Sequence, residues 1–428
     1  MINILKIKSF SFILKENSVF ITNYLLIGYT FFLPLSKNIS NIFFTLVIIF
    51  FFLNGNMKDK INFILKDKVV VSILLFILVH IVWLIGTDHF EYAQTKILFM
   101  KHFLSIIIIV TMVSKEYIAK IITAFVLSML FSEICSYFIF FGFIEPFNNA
   151  TRINPVPFML NHGFYSTFLA LTLGILLFNL FKKELKFNYF NKFIALFFSV
   201  TIIFNILIIS SRLGYILLFA VIFSMTIILF RRYIFKTIIL TIFVISIFYS
   251  IAYKNISNFQ IRVNEAIQNT EQIFTEQDYT TSEGIRFGFY KYSLEALKES
   301  PIFGVGTGDH INYIKDKIID YKYPEPMLNI LNGGENANLH SDYLDIFVQF
   351  GFIGLIVLLN IFYQILNYNQ KNEYLKYLQV LLVIVILVQS IPQGMIYLSP
   401  INKLFILLLA VTLNLYQNKI DELKIGSR

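Results

Sequence analysis

Charge is what this 428-residue chain has least of. Asp, Glu, Lys and Arg together make up 14% of it, where a soluble globular protein carries roughly 25%. That scarcity excludes an ordinary soluble domain, and the 57% hydrophobic content with a mean hydropathy of +0.71 points to a polytopic membrane protein. Cysteine is nearly absent: Cys135 stands alone inside an apolar run, which excludes a disulfide framework and a cysteine-based metal site. Arginine is scarce as well, 7 residues against 28 lysines. The formal net charge of +9 would suggest nucleic acid in a soluble protein; in this one it is tested first against membrane topology.

A membrane-crossing helix needs about 20 mostly apolar residues. Twelve stretches qualify, at roughly 18–36, 39–55, 68–87, 97–114, 120–143, 163–181, 192–210, 213–230, 233–253, 343–364, 376–398 and 400–417. Lys6, Lys8 and Lys15 precede the first, with no small-residue cleavage site, so that run reads as a retained helix. With the N-terminus in the cytoplasm, 21 of the 35 basic residues fall in cytoplasmic segments. Six fall in short outer ones: Lys37, Lys96, Lys101, Arg152, Arg212 and Lys403. The remaining eight lie in the long segment 254–342, which the positive-inside rule does not count. The +9 is then mostly topological, and a nucleic-acid partner drops out. The expected fold is an all-α polytopic membrane protein of about twelve transmembrane helices: nine in 1–253, a large and partly helical outer loop over 254–342, and three more helices with a cytoplasmic tail in 343–428.

A structureless loop of that length is unusual. Residues 259–277 have an amphipathic helical period, with Phe259, Val263, Ile267 and Phe274 near one face. Residues 286–300 read the same way and stop at Pro301. "GVGTGD", 304–309, lacks the Gly-Lys-Ser/Thr of a phosphate-binding P-loop and reads as a tight turn using positive φ at glycine. Asp309, Asp316 and Asp320 do not have the spacing of a metal loop.

A few polar residues stand out. The outer side uses arginine for 4 of its 14 cations against 3 of 21 inside, and arginine is the better bidentate ligand for phosphate. Arg212 occupies a very short outer turn, "SSRLG", where its charge is held at the interface; the bland alternative is a headgroup anchor. His340 sits at the same interface before the tenth stretch, and Arg286 opens a loop helix that could fold over it. Within the membrane, His80 and Glu133 lie at similar depth; they could pair, line the path of a lipid phosphate, or pack helices together.

Three segments carry a resemblance. "SSRLGYILLF" resembles the Ser-Arg-x-Gly/Ala turn of the O-antigen ligase and polymerase superfamily. "GIRFGFYKYSLEALKESPIFGVGTGDH" resembles its arginine and aromatic stretch ending in P-x-x-G-x-G-x-G, and "NLHSDYLDIFVQFGFIGLI" its His-Asn-x-x-Leu … Gly-x-x-Gly element. Ser341 departs from the asparagine frequent in that family. The resemblance covers 208–355 and implies a metal-independent, cofactor-free glycosyltransferase at the periplasmic face of a bacterial inner membrane. Its donor would be a glycan on undecaprenyl diphosphate and its acceptor lipid A-core. Arg212 and Arg286 match the family's essential arginines and His340 its essential histidine. Arg152, Gly306 and Tyr343 are the further candidates for substrate binding. Histidine suits general-base activation of a sugar hydroxyl near neutral pH, and two arginines suit a diphosphate leaving group. The ligase pattern fits best; the polymerase of the same superfamily, transfer to a protein hydroxyl, and a lipid or glycan transporter are the alternatives. Against the transporter, the large loop is off centre and no internal repeat is visible.

Overall fold

The computed structural model describes residues 17–148, 150–158, 161–181, 192–209 and 211–413, without the side chains of Arg231 and Glu335. The N-terminal lysines, the cations of 182–191 and the expected cytoplasmic tail beyond 413 lie outside the described residues. Among the described residues the regular structure is helical, with no strand.

The long apolar runs give helices because helix formation satisfies every backbone group within the segment, the one solution open to a single span in lipid. They are α1 (Ser18–Phe32), α2 (Lys37–Asn54), the short α3 (Met57–Ile64), α4 (Lys68–Val82), α5 (Phe90–Met112), α6 (Lys115–Phe140), α7 (His162–Phe181), α8 (Lys192–Ile208), α9 (Arg212–Leu229) and α10 (Ile234–Asn255). Four helices follow in the long segment: α11 (Ser257–Glu276), α12 (Ser282–Glu299), α13 (His310–Ile318) and α14 (Glu325–Leu331). The chain then returns through α15 (Asp342–Leu366), α16 (Glu373–Gln389) and α17 (Ile401–Leu413). Each of the twelve expected stretches contains a helix. Seven, namely α2, α5, α6, α7, α9, α10 and α15, are long and apolar enough to cross a membrane; α1, α4, α8 and α17 are shorter apolar helices. The chain is a multi-pass membrane protein whose described residues are all-helical and hold seven helices long and apolar enough to cross a membrane.

Two expected spans end early for the same reason. α4 stops at Val82 and α16 at Gln389, where stretches to 87 and 398 were expected. In both places the freed backbone groups find distant partners. Thr307 donates its N–H to Trp83 O (3.2 Å) and its hydroxyl to His80 O (2.8 Å), closing the end of α4. Met395 and Ile396 donate their N–H groups to the Asp342 carboxylate at 2.8–3.0 Å, holding the strap 390–400 out of helical form. Irregular backbone survives at such depth where protein satisfies it. α5 does the reverse and starts early, at Phe90, because Asp309 accepts the N–H groups of Asp88 (3.1 Å) and His89 (2.9 Å) at its positive end.

The long segment is a folded cap with its own core, which includes Ile273, Phe289, Ile314, Met327 and Leu331. α11 differs from its expected face. Phe259 and Ile273 are buried, whereas Ile267 and Phe274 are 61% and 71% exposed. The helix changes support along its length: Phe259 packs into the membrane core and Ile273 into the cap. The glycine-rich turn joins cap to bundle. Val305 and Gly306 donate to the carbonyls of Val348 (2.9 Å) and Gln349 (3.0 Å), beside a break in α15 at Gly351. Gly351 has φ +60°, and a Cβ there would lie 2.4 Å from the Ile302 carbonyl carbon.

Candidate active site

Beneath the cap, the start of α9, one face of α11 and the start of α12 enclose a cleft of about 730 Å³. The positions follow from helical spacing. Phe259, Arg262, Val263, Ala266 and Asn269 recur every three or four residues along α11, and Ser282, Glu283 and Arg286 share the first turns of α12. Arg212 stands at the start of α9, where the Ser211 side chain accepts the Gly214 N–H and caps the helix. Asn258 fixes α11 against the bundle by donating to Ile208 O at 3.0 Å.

Three arginines therefore meet at one opening. Arg212 pairs through Nη1 with Glu283 and through Nη2 with Glu265 at 2.9 Å. Arg262 reaches the same Glu265 oxygen at 2.8 Å. Arg286 donates to Pro392 O (2.8 Å) and to the Ser282 hydroxyl (2.9 Å). Burial lowers the proton affinity of Arg286, and the Glu283 carboxylate opposes the shift. Below the charges the wall is apolar: Ile216, Phe219, Tyr249 and Phe259. Ile216 is half exposed on the flank of the bundle, so the cleft joins a cationic mouth to an apolar side.

His340 lies behind Arg286 rather than on the cleft wall. The Arg286 charge acts on it, and its ring faces Phe289 at 6.3 Å between centroids. The residue is in the left-handed region, φ +54°, and its N–H donates to Asn338 Oδ1 at 2.8 Å. Its neighbours are pinned by buried charge. Lys96 Nζ donates to Ala337 O at 2.7 Å; Asp345 Oδ1 accepts the Leu339 N–H at 3.1 Å and lies 3.1 Å from His310 Nε2. The Ser341 hydroxyl donates to Ser390 O at 3.0 Å. Among the described residues neither ring nitrogen of His340 has a hydrogen-bond partner. Burial, with the Arg286 charge adding, lowers its pKa to about 4, so the ring is neutral at pH 7 with a lone pair available.

The sequence-derived candidates thus divide. Arg212 and Arg286 share the cleft and His340 adjoins it. Arg152 does not line it: it pairs with Glu145 at 3.4 Å in its own exposed loop. Tyr343 donates its hydroxyl to Leu387 O at 3.0 Å and ties α15 to α16. Gly306 serves the turn, with φ +117° and its N–H on Gln349 O. His80 and Glu133 do not pair. His80 is held by Phe76 O (2.8 Å) and the Tyr397 hydroxyl (2.7 Å), while Glu133 is buried beside Tyr137 and Tyr165 in α6 and α7. His162, Arg262, Glu265, Glu283 and Gln393 were not picked out as site residues from the sequence and line the cleft. Arg262 and Glu265 had a signal in their i, i+3 spacing on an amphipathic helix. His162, at the start of α7, and Gln393, in the strap, had none, since folding alone brings those segments together. Among the described residues no group of His, Cys, Asp and Glu is arranged to hold a metal ion.

A helical membrane bundle lies under a folded cap, with an arginine cleft and, beside it, a histidine whose ring has no hydrogen-bond partner among the described residues. The family described as O-Antigen ligase matches residues 197–359, which supports the resemblance to the O-antigen ligase superfamily. The match takes in Arg212, Arg262, Arg286 and His340, and leaves out α1–α7 and the strap with Gln393. An uncharacterized protein of Haemophilus influenzae is 30% identical over 151 residues, which are 34% of this chain and 36% of that relative. The chain thus covers about a third of that relative's length.

Proposed function

We propose that the chain is a metal-independent glycosyltransferase, an O-antigen ligase moving a glycan from undecaprenyl diphosphate to a sugar hydroxyl of lipid A-core at the periplasmic face of the inner membrane. The observation that carries this reading is the cleft itself: three arginines above an apolar wall, the two halves of a lipid diphosphate, with an unpartnered neutral histidine beside one of the arginines. His340 takes the proton from the acceptor hydroxyl as its oxygen bonds to the anomeric carbon. The bond from that carbon to the diphosphate oxygen breaks, and the charge left on the diphosphate meets Arg286, Arg212 and Arg262. The stereochemistry is a single inversion. A diphosphate bound at Arg286 neutralises the charge that depresses the basicity of His340, so donor binding strengthens the base. Glu265 and Glu283 hold the arginine forks in place in the absence of donor and exchange them for phosphate oxygens when it arrives.

The polymerase of the same superfamily shares this chemistry and differs in the acceptor. A chromosomal deletion complemented with wild type or His340→Ala, followed by gel analysis of lipopolysaccharide and lipid-linked glycan, separates them. Loss of all attached polymer, with long glycan retained on its carrier, supports the ligase. Core capped with a single repeat supports the polymerase. A wild-type pattern from His340→Ala at normal expression sinks the catalytic assignment in both.

A further inference from the structure

The cleft has two unlike walls. Every arginine and carboxylate that lines it comes from α9, α11 or α12. The other wall is built by Asn154, His162, Gly163, Pro392 and Gln393, from the approach to α7, its first turn and the strap, and it carries neither group. His162 is exposed there and Gln393 half-buried. Gln393 uses its backbone N–H on Gln389 O at 3.1 Å, and among the described residues neither its side-chain amide nor the His162 ring has a hydrogen-bond partner. The two side chains adjoin: a Cβ on Gly163 would collide with the Gln393 amide oxygen, so that amide rests on the turn that begins with His162.

The wall is held firmly and abuts the cations. Tyr290 donates its hydroxyl to Ile391 O (3.0 Å), Arg286 donates to Pro392 O (2.8 Å), and Met395 and Ile396 are held by Asp342. Gln393 is therefore fixed from both sides along the chain, next to the residue that Arg286 bonds. The Arg262 and Arg286 charges act on His162.

The two walls suit different parts of one substrate. Guanidinium groups only donate hydrogen bonds and match phosphate. An amide both donates and accepts, as does an imidazole in its neutral form. A sugar hydroxyl does the same. In a glycan on a lipid diphosphate the first sugar is bonded directly to the diphosphate. With the diphosphate on the arginines, that ring is the part of the donor that lies within reach of a wall bonded to Arg286. A site that hydrogen-bonds a substrate hydroxyl rejects the analogue lacking it, because its own polar groups are then left unpaired.

We infer that His162 and Gln393 form the subsite for the first sugar of the donor and select it by its hydroxyl and amide substituents. The inference rests on the glycan transfer proposed above.

The test titrates the full chain in nanodiscs with bare undecaprenyl diphosphate and with undecaprenyl diphosphate carrying a single N-acetylglucosamine, N-acetylgalactosamine or galactose, reading bound carrier by native mass spectrometry. Wild type is expected to bind at least one sugar-bearing carrier more tightly than the bare one and to rank the sugars. His162→Phe and Gln393→Met keep bulk and remove the polar groups. Each is expected to lose about five-fold in affinity for the preferred sugar carrier, the worth of one hydrogen bond, and the double variant on the order of 25-fold. The ranking levels, while the bare carrier binds as in wild type, which also reports a folded cleft. If the double variant does not fold, the single variants decide. A wild type that treats all sugars as it treats the bare carrier overturns the subsite. So do variants that weaken bare and sugar-bearing carriers equally. In both cases binding of the bare carrier to wild type leaves the proposed function standing. A wild type that binds no carrier at all removes the lipid-diphosphate reading of the cleft, and the subsite with it.

Discussion

His340 shows how one residue's chemistry depends on its neighbours. A histidine in water titrates at about 6.5; burial and the Arg286 charge bring this one to about 4. Because the shift is downward, the neutral form persists as pH falls and is lost only on approaching 4. The kcat/KM of the proposed glycan transfer should therefore be level on this group from about pH 5 to 8, with an acid limb near 4. His340→Ala should cost 10²–10⁴-fold, the range of general-base catalysis, and abolish that limb. A wild-type limb near 6.5 would mean that the ring ionises as though solvated and that Arg286 does not act on it. At this scale the sequence was informative where a motif concentrated the signal. Arg212, Arg286 and His340 each stand in a short patterned stretch, and the fold brings the arginines together with the histidine adjoining. Arg152 had only its outer placement to recommend it, and a carboxylate seven residues away, Glu145, claims it. His162 and Gln393 reach the cleft from segments more than 200 residues apart, which no local pattern encodes.

At the scale of elements, helix existence was legible and helix ends were not. A run of some 20 apolar residues dictates a helix from either end of the chain. Where the helix stops depends on groups far away in sequence: Thr307 for α4, Asp342 for α16, Asp309 for α5. The break in α15 makes the same point. Gly351 lies inside an apolar run that reads as one continuous span, yet the 301–306 turn requires it to leave helical geometry. Phe352 then donates its N–H to Pro301 O at 2.9 Å. Gly351→Ala should be destabilising twice over. A non-glycine residue at positive φ costs roughly 1–2 kcal/mol, and the added Cβ would lie 2.4 Å from backbone of the docked turn. Gly86 has φ +86° and open space within 4 Å of where a Cβ would stand, so Gly86→Ala carries the strain without the clash. Thermal melts in detergent should show a clearly larger loss for Gly351→Ala than for Gly86→Ala. Equal losses would mean that the turn is not packed against α15 as described.

The whole molecule couples a cap to a bundle through shared residues. The cap's core includes Leu344 and Val348, which belong to α15, and Ala337 and Leu339, which flank His340. Buried charge reinforces the join: Lys96 of α5 reaches Ala337 O, and Asp345 of α15 holds the Leu339 N–H. A segment of about 90 residues cut away from these partners loses part of a core that is small to begin with, and domains of that size have little stability to spare. Residues 254–342, although continuous and polar enough to look like an excisable domain, should therefore fail to fold alone. The isolated segment is expected to show weak helical circular dichroism and no cooperative thermal transition. In the full chain the cap should melt together with the bundle, in one transition followed by amide hydrogen exchange across α12 and α13. A sharp, reversible melt of the isolated segment would show the cap to be autonomous. The position of His340 would then be set by the cap and merely contacted by the membrane helices. A single shared transition makes the proposed catalytic geometry a property of the assembled molecule, because the residue that would take the proton sits on the seam and neither half fixes it without the other.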